Sequence, residues 1–331
     1  MGINKSFWKK KKVLITGHTG FKGTWLTIWL ESMGADIVGV SLEPINKNNI
    51  YHLTSIGKKI KSLRCDIRDK KNLSAIFKKY KPEIIFHLAA QPLVIDSYNF
   101  PVETYETNFN GTLNILENIR LLKTVRACLI VTSDKCYQNK EWNWGYREND
   151  SMGGYDPYSS SKGACELLIE SYRSSFFNKN NKSFTKIASA RAGNVIGGGD
   201  FATNRLIPDA VNAFSKNNLL DIRNPESIRP WQHVLEPLSG YILLAQKLYK
   251  KNSNFDQAWN FGPHNQDIKT VKEVMEIFSK KWGPKGKYRV ISNKNLHEAK
   301  LLNLDCSKAN FEMKWTPKWN LNIAIDKPIQ W

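Results

Sequence analysis

Tyr158 and Lys162 stand four residues apart in the stretch Gly154-Tyr155-Asp156-Pro157-Tyr158-Ser159-Ser160-Ser161-Lys162. If this stretch opens a helix, one turn separates the two side chains and they share a face. A cation beside a phenol favours the phenolate. A phenol tuned in this way can take and return a proton near neutral pH, which hydride transfer at an alcohol or ketone requires. The same spacing also occurs on ordinary solvated helix faces, so the pair takes its meaning from what surrounds it.

The elements that must position such a pair begin near the N-terminus. The apolar run Lys11-Lys12-Val13-Leu14-Ile15-Thr16 predicts a strand that feeds Gly17-His18-Thr19-Gly20-Phe21-Lys22-Gly23, and Thr24 to Leu30 reads as a helix with Gly34 at its end. Gly17, Gly20 and Gly23, each spaced by two residues, let the backbone turn tightly and approach a pyrophosphate. The unpaired amides and the positive end of the helix favour the anion. A glycine turn without a nucleotide is the alternative, and the strand before and the helix after weigh against it.

Further along, Asp36 to Ser41 and Ser62 to Ile67 read as strands, with Asp66 at a strand end where it could meet an adenine. Ile84 to Ala90 and Ala127 to Ser133 are apolar runs of the kind that parallel strands buried on both faces require. Helical patterns near Lys71 to Lys79 and Thr107 to Arg120 lie between them. The alternation predicts an α/β fold, a doubly wound parallel (Rossmann) sheet. His87, on an apolar strand, reads as a packed histidine. Residues 1–190 are expected to form the dinucleotide-binding domain, with 234–262, including the late strand near Ala258 to Pro263, returning to it. Residues 191–233 and 263–331 are expected to form a smaller, interleaved substrate-binding part, because no Pro/Ser-rich tract or repeat separates the two.

A chain of 331 residues with 41% hydrophobic content accommodates both parts. No apolar run approaches the ~20 residues of a membrane span, and no secretory leader is visible, so a cytoplasmic location is expected. The five cysteines (Cys65, Cys128, Cys136, Cys165, Cys306) are scattered and contain no C-x-x-C, so neither a disulfide framework nor a metal site is indicated. The net charge of +19 raises a nucleic-acid-binding alternative. The lysines, however, are spread in pairs such as Lys58-Lys59 and Lys280-Lys281 rather than interleaved with aromatics on one element. Such a surface suits an anionic nucleotide substrate.

With Thr132-Ser133-Asp134-Lys135-Cys136-Tyr137 at the end of a strand, the chain resembles the extended short-chain dehydrogenase/reductases and, more narrowly, the CDP-glucose 4,6-dehydratases. The glycine turn, Tyr155 to Lys162, Arg191 to Asp200, Arg229-Pro230-Trp231-Gln232-His233-Val234 and Trp259 to Pro263 carry the likeness along nearly the whole chain. The resemblance implies a lyase that works on CDP-glucose through bound NAD and assembles as a homo-oligomer, with no nucleic-acid or membrane partner. It assigns cofactor contacts to Gly17, Thr19, Gly20, Phe21, Gly23, Asp66, Ile67, Leu88, Ala89, Ala90, Tyr158 and Lys162. Tyr158, aided by Lys162 and Ser133, would act at the sugar O4. Asp134 would be the acid of the elimination, and Lys135 occupies the place of its base. Asn194, Arg205, Arg229 and His233 would hold the substrate, although each arginine could instead be a structural ion pair. Trp142 and Trp144 line the pocket or simply pack.

Two positions depart from the pattern. Ser41 stands where NAD enzymes often place an acidic residue, which leaves NAD against NADP open. Ile95 stands where an arginine is expected. The competing readings are an epimerase or reductase on the same fold, and a non-enzymatic basic nucleotide- or nucleic-acid-binding protein.

Overall fold

Runs rich in β-branched and other apolar residues form seven strands: β1 (Lys12–Thr16), β2 (Asp36–Ser41), β3 (Lys61–Arg64), β4 (Ile84–His87), β5 (Ala127–Val131), β6 (Lys186–Ala192) and β7 (Ala258–Phe261). The structure, a computed structural model, describes residues 2–44, 48–178, 181, 183–250, 253–291 and 300–331. The strands pair in parallel in the order β7-β6-β5-β4-β1-β2-β3. The direction of winding therefore reverses between β1 and β4, and the loops that leave these strands diverge. A crevice opens outside the carboxyl ends at such a switch point. The doubly wound parallel sheet expected from the sequence is the fold observed.

Helices cover both faces. α1 (Phe21–Ser32) starts directly from Gly20, and Gly34 closes its end with a φ of +82°, a backbone region that glycine enters freely. α2 (Lys70–Tyr80) is capped by the Asp69 side chain. The helix expected over 107–120 is α3 (Gly111–Leu121), preceded by a wider five-residue turn, Glu106–Asn110. That turn carries Asn108, whose amide donates to Gln91 O (3.1 Å) and to Ser161 Oγ (2.9 Å). α4 (Pro157–Phe176) begins with Pro157 at its first position, where no N–H is needed, and Asp156 caps it through Ser159 N (2.9 Å).

After β6 the chain forms α5 (Leu206–Ser215), returns along the sheet as α6 (Leu235–Leu248) and adds β7, then α7 (Val271–Trp282) and α8 (Leu321–Gln330). One apolar cluster lies between the sheet and α1 with α6, including Leu26, Leu30, Leu238, Ile242 and Trp259. A second lies under α2, α3 and α4, including Leu73, Phe77, Ile115 and Ile169. A third joins Ile207, Phe214, Trp231, Met275, Phe278 and Ile325. This third cluster is drawn from segments on either side of α6 and β7. Residues 292–299 of that expected part lie outside the described residues. Four strand ends fall short of expectation: β3 stops at Arg64, β4 at His87, β5 at Val131 and β7 at Phe261, which leaves Asp66, Leu88 to Ala90 and Ser133 in the segments beyond them.

Candidate active site

The catalytic candidates meet at the carboxyl end of β5. Ser133, in extended backbone, caps the short turn Asp134–Cys136, and its Oγ accepts from Lys135 N (3.2 Å) while donating to Asp134 Oδ1 (3.0 Å). Asp134 is buried, and burial pushes its carboxyl up against the opposing pull of Lys135, Ser133, Arg229 and Lys22. Its Oδ2 has no hydrogen-bond partner among the described residues. Gly193, just past β6, makes room for it: a Cβ there would lie 2.8 Å from Oδ2 and 2.4 Å from Pro230 Cγ. Lys135 is half-buried beside the acid.

Tyr158 and Lys162 occupy the first two turns of α4, both buried. Here one expectation needs correction. The phenol is not drawn down by Lys162; burial pushes it up to about 12, with the bond to Ser133 acting in the opposite direction. Lys162 Nζ stands 6.0 Å from the ring centroid and donates to Val131 O at 3.5 Å, and burial lowers its own pKa. Desolvation thus outweighs the attraction between the two side chains.

A further cation enters from the glycine turn. Lys22, the second residue of α1, stands within electrostatic reach of Asp134, Lys162, Asp200 and Arg205, and burial followed by Arg205 lowers its pKa to about 8. Sequence reasoning passed over it, although a lysine between the last two glycines of a phosphate-binding turn was a visible signal.

The turn itself fits a dinucleotide. Gly17 has a φ of +76°, and a Cβ on it would press 2.7 Å from Ala89 N; one on Gly23 would fall 2.0 Å from Gly17 O. A Cβ on Gly20 would meet only Gly17 O, at 3.4 Å, so the bare face of Gly20 opens at the positive end of α1, where a pyrophosphate belongs. Leu88 N and Ala89 N donate to Thr16 Oγ1 (3.2 Å each), which fixes the Leu88-Ala89-Ala90 wall. Phe21 leads α1 toward Gly197, whose Cβ would sit 3.3 Å from the Phe21 ring. Thr19 Oγ1 and Ser41 Oγ bond at 2.7 Å. Beyond β3, the Asp66 carboxylate accepts from the Arg68 backbone (2.8 Å) and guanidinium (2.7 Å), while Ile67 packs under Gly111. His87 is the packed histidine expected, bonded to Thr16 (2.6 Å) and Thr112 (3.1 Å) and held neutral by burial at about 3.

Of the substrate candidates, Arg205 reaches toward the catalytic group, with Asp200 Oδ2 3.0 Å from its Nη1. Arg229 is buried near Asp134 and donates to Ile228 O (2.8 Å). Asn194 is half-buried, and its carbonyl accepts from Gln232 N (3.2 Å). His233 takes a packing position: Nδ1 accepts from Leu235 N at the start of α6, and the ring lies edge-on to Trp319, 4.8 Å away. Trp142 packs with Tyr146 (5.3 Å) and Trp144 (5.1 Å), whereas Trp144 is 63% exposed. Ile95 lies in a short helix, Val94–Asn99.

A buried ion pair ties these pieces together. Glu166, one turn beyond Lys162, meets Arg191 of β6 at 2.8 Å and also accepts from Thr132 and from Ser189 (2.7 Å). Burial opposes the Glu166 carboxylate, and Arg191 with the hydrogen bonds outweighs it, so its pKa falls below the ordinary range.

The family described as GDP-mannose 4,6 dehydratase matches residues 14–327. CDP-glucose 4,6-dehydratase of Salmonella typhimurium is 48% identical over 99% of this chain and 92% of its own length. dTDP-glucose 4,6-dehydratase of Escherichia coli is 25% identical over 97% of the chain and 93% of its own length. The solved structure of a Bacillus anthracis dTDP-glucose 4,6-dehydratase in complex with NAD superposes with a TM-score of 0.81 at 20% identity, covering 97% of this chain and 96% of that one, a likeness of fold. The chain belongs to the GDP-mannose 4,6 dehydratase family of extended short-chain dehydrogenases/reductases.

Proposed function

We propose that this protein is a CDP-glucose 4,6-dehydratase, an NAD-dependent hydro-lyase that converts CDP-glucose to CDP-4-keto-6-deoxyglucose and water. The observation that carries the reading is the 48% identity to the Salmonella enzyme over nearly the whole chain. The Ser133-Asp134-Lys135 turn beside Tyr158 and Lys162 supplies the chemistry that such a reaction needs and that a plain epimerase does not.

Gly17, Gly20 and Gly23 would hold the NAD pyrophosphate at the start of α1, between the walls made by Thr19 with Ser41 and by Leu88 to Ala90. When bound there, the dinucleotide would supply reversible hydride acceptance for the chemistry at C4 and C6. The protein's own groups move the protons. Tyr158 takes the O4 proton, with Ser133 orienting the hydroxyl. The resulting ketone acidifies C5. Lys135 removes the C5 proton, and Asp134, whose carboxyl burial keeps protonated to higher pH, delivers a proton to the departing C6 hydroxyl. Arg205, Arg229, Asn194 and Lys22 would hold the diphosphate; guanidinium and ammonium groups match phosphate oxygens, and Lys22, Arg205 and Arg229 lie near Asp134 or Asp200.

The exposed apolar side chains Phe100, Val102, Leu121 and Leu167 support assembly as a homo-oligomer, and we place the enzyme in the cytoplasm. Among the described residues no helix is long and apolar enough to cross a membrane.

The test is to incubate the pure protein and catalytic NAD with CDP-glucose, dTDP-glucose, UDP-glucose and GDP-mannose, and to follow the ultraviolet absorbance of a 4-keto sugar in alkali. Rapid product from CDP-glucose without net reduction of NAD is expected. Steady reduction of NAD in step with CDP-glucose consumption refutes the dehydratase and indicates an ordinary dehydrogenase.

A further inference from the structure

β2 ends at Ser41, so the carboxylate that commonly accepts the 2′-hydroxyl of an adenosine ribose is missing from that strand end. The Ser41 hydroxyl is already bonded to Thr19 Oγ1 (2.7 Å). Charge enters from the neighbouring strand instead. Arg64, the last residue of β3, is the direct partner of Ser41 in the parallel register, and its Nε donates to the carboxylate of Glu43, two residues past Ser41.

Further bonds fix the guanidinium in place. Nη1 donates to Ser62 Oγ (3.0 Å) and Nη2 to Tyr51 OH (3.4 Å), and the guanidinium carbon stands 5.4 Å from the centre of the Tyr51 ring, in the short helix Ile50–Leu53. Ser62 Oγ bonds in turn to Tyr51 OH and to His18 Nε2, each at 2.7 Å, and His18 belongs to the glycine turn. Arg64 is thus braced against the turn that would seat the pyrophosphate. Among the described residues these bonds use one N–H on each nitrogen, which leaves a second N–H on Nη1 and on Nη2.

Arg68, the other arginine just past β3, is less available. Its guanidinium meets three carboxylates, Asp66 (2.7 Å), Glu103 (3.7 Å) and Glu106 (3.8 Å). Arg64 has one such partner among the described residues, and the Glu43 side chain is 63% exposed, so water screens the pair and parting it costs little. A 2′-phosphate at this strand end would meet two opposed groups: a guanidinium that matches its oxygens, and a carboxylate that repels it and occupies that guanidinium. We propose that the Glu43–Arg64 ion pair, in place of a strand-end acid, selects between NAD and NADP. While Glu43 holds Arg64 the 2′-phosphate is refused, and Arg64 freed from Glu43 binds it.

The inference rests on the dinucleotide-binding reading of the glycine turn, and the experiment separates the two. NAD and NADP differ only in the 2′-phosphate, so calorimetric titration of the full chain with each, in the absence of sugar nucleotide, reads the selection without any turnover. The parent should bind NAD more tightly than NADP. In Glu43→Gln the ratio of the two dissociation constants should move toward NADP by about tenfold or more, the size of one charge-assisted hydrogen bond gained, with NAD itself little changed. Arg64→Leu added to Glu43→Gln should cancel most of that gain. Both side chains are exposed, so the fold tolerates either change, and the ratio within each protein removes any effect common to the two ligands. Equal binding of NAD and NADP by the parent, or an unchanged ratio in Glu43→Gln, overturns the selector. So does a gain undiminished by Arg64→Leu, which would mean that Glu43 acts by repulsion alone. Absence of NAD binding to the parent overturns the dinucleotide reading as well.

Discussion

Gly193→Ala should disable the acid of the elimination while leaving the chemical identity of every reacting group unchanged. Gly193 has no positive φ, so alanine suits the backbone and the effect is purely one of contact. The new Cβ would lie 2.8 Å from Asp134 Oδ2 and 2.4 Å from Pro230 Cγ, closer than real Cβ atoms approach their neighbours. Pro230 is buried in the strand that also carries Arg229 and has little room to retreat, so the carboxyl must swing aside. Overpacking of this kind costs about 1–3 kcal/mol, and a melting temperature falls by roughly 2–4 °C per kcal/mol in a domain of some 150–250 residues, the nearest class to this chain. A shift of the acid by about 1 Å lowers turnover by on the order of 10²-fold. The assay is the alkali chromophore of the 4-keto product, measured beside the melting curve and the binding of NAD, which should be unchanged because the atoms nearest the new Cβ belong to Pro230 and Asp134 and not to the glycine turn. Turnover within twofold of the parent, at an unchanged melting temperature, refutes the account of how Asp134 is seated.

Tyr158→Phe should lower turnover by ~10²–10⁴-fold while leaving NAD binding and melting nearly intact, since only the titrating oxygen is removed; parental activity sinks the assignment. Asp134→Asn should abolish dehydration yet melt above the parent at pH 8. The parent's carboxyl is raised by burial, so its stabilising share is complete below the ordinary carboxylate range, about pH 3.9, and is lost as pH rises through the folded-state pKa; the gap between variant and parent should therefore close toward pH 4. An equal gap at both pH values contradicts the burial argument. Lys135→Met should build up reduced-nicotinamide absorbance with little product, and normal product release with solvent deuterium entering C5 at the parental rate shows that another group removes the C5 proton.

The sheet was legible because β4 and β5 are buried on both faces, and such strands write themselves as unbroken apolar runs. The Tyr158 and Lys162 pair was legible because helical spacing is local. What the sequence could not convey depends on contacts between distant segments. Lys22 gains its meaning from Asp134 and Arg205, more than a hundred residues away, and Gly193 from the side chain it makes room for. The titration of Tyr158 was misread because spacing places Lys162 on the same face but says nothing of how deeply that face is buried. Asp66 and His233 have partners, Arg68 and Trp319, that only the folded chain shows.

Glu166 grips Thr132, the neighbour of Ser133, and β6 through Arg191, from the same helix that carries Tyr158 and Lys162. Breaking one partner of a buried ion pair typically costs about 3–5 kcal/mol, so this contact opens only when the sheet itself comes apart. In many enzymes the active site softens on warming well before the body of the protein melts. Here the two events are bolted together, so heat inactivation and loss of tertiary structure should coincide on a temperature scan. In Glu166→Gln they should separate, with activity fading first.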